Sequence, residues 1–122
     1  MSRWAAHYVY AGCIFPMSIV EFDSFGMLDG IYPLKEELAS TIFMHGVLLL
    51  IPDDMKSVWQ EMVNDHIHRH LPMSYLELLS ILHRYMPYKL QYKSRYVLLH
   101  LQLNPFSATE LSTYDSRCDS YI

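Results

Sequence analysis

The run His66-Ile67-His68-Arg69-His70 concentrates the side chains with the most chemical capability in this chain. On a helix, His66 and His70 stand at i and i+4 and point the same way, as two zinc ligands do, and His68 adds an HxH pair. A zinc hydrolase also requires a third ligand, an open coordination position and a base within reach of the metal-bound water. Asp65 lies about 100° round the helix from His66, and no HExxH motif is present. The competing reading is a helix C-terminus, where His and Arg interact favourably with the dipole and the last free carbonyls. That reading is preferred over adventitious metal binding and over a small metal-dependent hydrolase, so no metal and no cofactor is assigned.

A second chemical pattern interleaves Arg84, Lys89, Lys93 and Arg95 with Tyr85, Tyr88, Tyr92 and Tyr96. Cations for phosphates and aromatic faces for bases compose a single-strand binding groove, with Arg84, Lys89, Tyr92, Lys93 and Arg95 as its contact residues. The same composition describes an amphipathic connector whose tyrosine rings cover a sheet and whose charges face water. A net charge of −4 argues against a general nucleic-acid binder, although it is unevenly spread: residues 1–65 carry −6 and residues 66–122 carry +2. Five of the seven histidines also fall in the second half, so mild acid strengthens its positive character. Elsewhere the chemistry is sparse. No serine or cysteine stands in a nucleophile motif, and Gly12, Gly26, Gly30 and Gly46 form no phosphate-cradling loop. Glu36-Glu37 and Asp53-Asp54 read as a solvated rim, and the eight methionines as adaptable packing.

What must position these residues is a single domain. One hundred and twenty-two residues, 52% of them apolar and 18% charged, suffice to bury a core without a disulfide or a metal and are too few for a barrel enzyme. Aromatics at 14% argue against disorder. Cys13 and Cys118, 105 positions apart, make neither a metal-ligand spacing nor a disulfide framework and read as free thiols of a cytoplasmic protein. No signal peptide is visible, and the longest apolar run, Ile42 to Ile51, is far shorter than the ~20 residues of a membrane helix, so no membrane association is expected.

The first fifty residues predict short strands: Ala6 to Tyr10, Ser18 to Phe22, Met27 to Tyr32, Thr41 to Phe43 and Val47 to Ile51. Asp23-Ser24-Phe25-Gly26 predicts a hairpin turn, and Lys35 to Leu38 one helical turn. The period changes after Pro52. Asp53 and Asp54 supply an N-cap and first-turn charge, and Met55, Val58, Trp59, Met62, Val63, His66, Ile67 and His70 form one helical stripe that Leu71-Pro72 stops. Ser74 and Glu77 form a capping box before a second helix with Tyr75, Leu78, Leu79, Leu82, Tyr85 and Met86 on its apolar face. Tyr96 to Leu103 predicts a further strand and Asn104-Pro105 a turn, with short strands at Thr109 to Ser112 and Cys118 to Ile122.

The strand at Ala6-His7-Tyr8-Val9-Tyr10, the acidic-to-glycine turn after Val20-Glu21-Phe22, the strand Met27 to Tyr32 and the stretch Gly46-Val47-Leu48-Leu49-Leu50-Ile51-Pro52 come in an order that resembles the small N-terminal β-sandwich of the cytosine-deaminase-like amidohydrolases. The stretch from Leu101 to Ile122 is similar to the strands by which those enzymes return to complete that sandwich. In the family, the strand corresponding to Gly46–Pro52 leads into a catalytic barrel that opens with an HxH pair. Here Asp53-Asp54 and a helix follow, and only about 45 residues separate the two strand-forming portions. The resemblance therefore implies a relative of the accessory domain without the catalyst.

The expected architecture is α+β: a mainly antiparallel β-sandwich or curled sheet from both chain ends, with strands over 1–52, a two-helix hairpin over 53–86 and returning strands over 94–122. The expected role is non-enzymatic, a protein-interaction or scaffolding module with a protein partner or a second copy of itself. A nucleic-acid-binding regulator and a small metal-dependent hydrolase are the two alternatives.

Overall fold

The computed structural model describes residues 1–35 and 40–113. Six strands, β1 (Ser2–Tyr10), β2 (Ile14–Phe22), β3 (Leu28–Pro33), β4 (Thr41–Pro52), β5 (Tyr96–Gln102) and β6 (Ser107–Leu111), form one mixed sheet in the order β3-β2-β1-β4-β5-β6. Every pairing is antiparallel except that of β1 with β4. The helices α1 (Lys56–Met62) and α2 (Tyr75–Tyr85) lie between β4 and β5 in the chain. The coarse α+β expectation holds, with all six strands in one sheet.

The uninterrupted apolar run of β4 is the sequence of a strand covered on both faces, and Val47 to Ile51 are at most 1% exposed. Val47, Leu49 and Ile51 join Trp59, Met62, Val63 and Ile67 and the α2 side chains Leu78, Leu79 and Leu82 in one core. Leu48 and Leu50 face the other way, into a second core with Trp4, Val20, Phe22, Leu28, Tyr96 and Leu98. The sheet curls around that second core. The start of β3 bonds to the lead-in of β5, Leu28 N–H to Ser94 O at 2.9 Å and Lys93 N–H to Leu28 O at 2.6 Å.

Two expected strands, 41–43 and 47–51, are one. Between Ala6↔Met44 and Tyr8↔Val47 the register slips by one residue, so His45 and Gly46 together oppose His7 in a bulge. Gly46 sits at φ +102°, and a Cβ there would lie 2.5 Å from the carbonyl oxygen of Leu101, so β4 continues through the bulge only because this residue is glycine. The expected turn at Asp23–Gly26 forms as read: Asp23 Oδ1 accepts from Phe25 N–H at 2.9 Å and Met27 N–H at 3.0 Å, and Gly26 has φ +77°. These amide bonds, Met27's foremost, hold the Asp23 carboxyl below its ordinary value.

The helical stripe after Pro52 is also resolved differently. It runs as a 3₁₀ turn (Asp53–Met55), α1, a π turn (Val63–Ile67) and a second 3₁₀ turn (His68–His70). Pro52 occupies the N-cap with no side-chain bond, so Asp53 and Asp54 contribute first-turn charge and not a cap. The capping box of α2 is present, with Glu77 N–H donating to Ser74 Oγ at 3.2 Å and Ser74 Oγ to Glu77 Oε1 at 3.3 Å. Ser74→Ala is expected to cost about 1 kcal/mol, read as a melting temperature about 3–6 °C lower. The expected short strand near 109–112 is β6, two residues earlier in its start. The expected strand at 118–122, Cys118, the Glu36-Glu37 rim and most of the Lys35–Leu38 turn lie outside the described residues.

Candidate functional site

The helical run ending at His70 and the outer face of α2 enclose an open cleft of about 420 Å³ lined by His66, His70, Leu76, Glu77, Ser80, Ile81, Arg84 and Tyr85. The two faces of α2 do different work. Leu78, Leu79 and Leu82 point into the core, while positions 76/80/84 and 77/81/85, each series spaced by four, line the cleft. Leu76 is 67% exposed and Tyr85 36% exposed, so apolar surface forms part of this cleft's wall. Tyr85 was expected on the buried face; it instead lies under the ring of His66, stacked at 4.0 Å and 16°. The Arg84 guanidinium stands 5.5 Å from the centroid of the Tyr85 ring.

The change of helical pitch decides what the histidines do. With a π turn followed by a 3₁₀ turn, His66 and His70 no longer present the parallel pair of an α-helix. His70 Nδ1 meets the carbonyl oxygen of His66 at 2.5 Å. A carbonyl only accepts, so Nδ1 carries the proton and Nε2 is the nitrogen left for a ligand. His68 turns elsewhere and packs edge-on against Phe106, 5.7 Å between centroids. The structure thus brings His66 and His70 together with Arg84 and leaves His68 out. Among the described residues no three His, Cys, Asp or Glu side chains are gathered about a point. Ser80, in the cleft, donates its hydroxyl proton to the Leu76 carbonyl at 3.0 Å, a bond that serves the helix and does not activate the oxygen as a nucleophile.

The remaining residues of the basic tyrosine-rich segment are dispersed. Lys93 is ion-paired to Asp29 and, at 3.5 Å, to Asp23. The Asp29 bond is the leading reason its ammonium is held above the ordinary lysine value. Lys89 and Arg95 line a different hollow beside Asp53 and Asp54, which shares their charge. Tyr88 and Tyr96 turn inward: the Tyr88 hydroxyl donates to the Leu50 carbonyl, and Tyr96 is 7% exposed. Tyr92 is exposed. The alternation that suggested a continuous groove is therefore divided between the cleft, a hollow of mixed charge, the ion pairs of Lys93 and the core.

Sequence reasoning missed the cleft as a unit. Its signal was Leu76, an apolar residue on the side of α2 away from the expected stripe, in series with Ser80 and Arg84. It also missed the rings of His7, Phe43 and His45, which meet at 5.1–5.7 Å across the β1/β4 bulge. The buried His100 holds that bulge, its Nε2 2.5 Å from the His45 carbonyl.

The fold and this site define an α+β domain with one curled mixed sheet and a helix-walled cleft whose lining is partly apolar and carries one acidic and one basic side chain. The chain matches no family model, no curated protein and no solved structure. No helix among the described residues is long and apolar enough to cross a membrane.

Proposed function

We propose that this chain is a non-enzymatic protein-interaction module whose contact surface is the cleft between the His66–His70 turn and α2. The observation that carries the reading is the solvent-facing apolar side of that cleft. Leu76, the more exposed of its two large exposed side chains, stands with Tyr85 and Ile81 in a concave surface of the volume ligand sites have. An exposed apolar patch rimmed by polar groups is what binding surfaces offer and what isolated domains ordinarily minimise. The amidohydrolase resemblance belongs to the same proposal, supported by the strand order of the first fifty residues: an accessory-domain relative without the barrel retains a binding surface and no catalyst. The exposed thiol of Cys13 accords with a reducing cytoplasm.

The test is selection of a displayed library of random peptides on the immobilised full chain, together with light scattering on the chain alone. Expected are peptides, or a second copy, whose binding weakens at least tenfold in Leu76→Asp while the melting temperature stays unchanged. If no peptide is enriched and the chain is a strict monomer, the interaction reading falls.

A further inference from the structure

The charges lining the cleft are unevenly placed. Arg84 lies seven positions beyond Glu77 on α2, a rise of about 10 Å, so the cleft has an acidic and a basic end. At the acidic end, the Glu77 carboxylate already accepts from Ser74 Oγ. At the basic end, Arg84 has no carboxylate within ion-pair distance among the described residues, unlike Arg3 with Glu21 and Lys93 with Asp29. The two imidazoles that line the cleft add no negative charge. Ile81 stands between the ends, with Leu76 next to Glu77 and Tyr85 next to Arg84 in the helix.

We infer that the occupant of this cleft is an acidic segment of a partner protein, with an aspartate or glutamate against Arg84 and an apolar side chain against Leu76 and Ile81. This rests on the interaction reading above and adds the partner's chemistry and its direction. Arginine presents a planar fork of donors to a carboxylate, and here the guanidinium is exposed yet set beside a tyrosine ring, which limits its freedom before binding. Glu77 repels a carboxylate at the opposite end, so the acidic residue has one register and not two. A nucleic-acid strand fits less well, because successive phosphates would have to pass Glu77, and Lys93 is paired to carboxylates outside the cleft.

The experiment takes the peptides selected on the full chain and measures their affinity by fluorescence anisotropy against wild type and Arg84→Gln, with a thymidine oligonucleotide as a polyanion control. Selected peptides are expected to be enriched in Asp or Glu beside Leu, Ile or Phe. Replacing their acidic residue by its amide should weaken binding about tenfold for wild type and leave Arg84→Gln almost unaffected. Glu77→Gln should admit acidic residues at a second position. Peptides that bind the cleft with no acidic preference, or that bind Arg84→Gln as well as wild type, overturn this inference and leave the interaction reading standing. Arg84-dependent binding of the oligonucleotide at low salt overturns it in favour of nucleic acid; the absence of any selected peptide removes this inference, and removes the interaction reading as well if the chain is a strict monomer.

Discussion

Gly12→Ala is expected to destabilise the protein by roughly 3 kcal/mol or more, a large share of the 5–15 kcal/mol that holds a domain of this kind together. Two costs act at one atom. Gly12 turns the chain between β1 and β2 at φ +81°, where a side chain costs about 1–2 kcal/mol. The added Cβ would also stand 2.1 Å from the carbonyl oxygen of Tyr88, a separation that real Cβ atoms do not show. The neighbour cannot readily withdraw. Tyr88 is fastened by its hydroxyl to Leu50, and two residues earlier the Met86 carbonyl accepts from Tyr10 Oη at 2.9 Å. The chain leaving α2 is thus clamped onto the β1–β2 turn, and a methyl group at position 12 must break that clamp or distort the turn. Gly30→Ala is the matched control: its φ is not in the left-handed region and a Cβ there meets only the Tyr32 ring at 3.6 Å, an ordinary contact. Thermal denaturation should show a loss of about 10 °C or more for Gly12→Ala and a change within about 0.5–1 kcal/mol of zero for Gly30→Ala. Equal losses in both variants would show that the close approach of Tyr88 does not govern the effect.

The contrast between those two glycines also marks what the sequence makes legible. Local patterns were readable where one element decides them: the S-x-x-E box starts α2, the Asp23–Gly26 turn forms with its amide bonds, and the apolar run Val47–Ile51 is a strand buried on both faces. What was not readable depends on partners distant in the chain. The parallel placement of β1 beside β4 and the one-residue slip at His7 are fixed by register across more than thirty residues, and nothing in either strand alone announces them. The π turn at Val63–Ile67 is a local event, yet the apolar stripe of Trp59, Met62, Val63 and Ile67 reads the same through it, because burial of those four is kept while the pitch changes. The change of pitch goes with His70 turned back on His66, while His68, two positions from each, faces away from both and packs on Phe106. The basic segment shows the same limit. Its alternation of cation and tyrosine was correct as composition, but Lys93 finds carboxylates on Asp23 and Asp29, some sixty-four to seventy positions earlier.

Alkaline unfolding is the second large effect, and it reports on the same clamp from the side of charge. Burial, reinforced by the Cys13 thiol, pushes the Tyr10 hydroxyl up to about 12, and burial together with Tyr96 and Tyr10 pushes Tyr88 up as well. In the unfolded chain both return to the ordinary phenol value near about 10. A group whose folded value is raised holds its proton more tightly when folded, so its contribution is complete below about pH 10 and is lost as pH climbs towards the folded value. For Tyr10 that loss amounts to about 3 kcal/mol, and Tyr88 adds to it in the same direction. The physical event is the conversion of a buried donor into an anion facing a carbonyl: Tyr10 Oη can no longer donate to Met86, nor Tyr88 to Leu50, and each like dipole repels the new charge. Denaturant titrations from about pH 7 to 12 should therefore show a flat midpoint up to about pH 10 and a steep fall beyond it. Tyrosinate absorbance should place the ionisation of two tyrosines with unfolding and not before it. In Tyr10→Phe the midpoint at neutral pH should drop by about 1 kcal/mol for the lost hydrogen bond, while the alkaline fall becomes shallower. An alkaline limb of unchanged slope in Tyr10→Phe and Tyr88→Phe together would assign the fall to other groups and show that these two hydroxyls do not govern it.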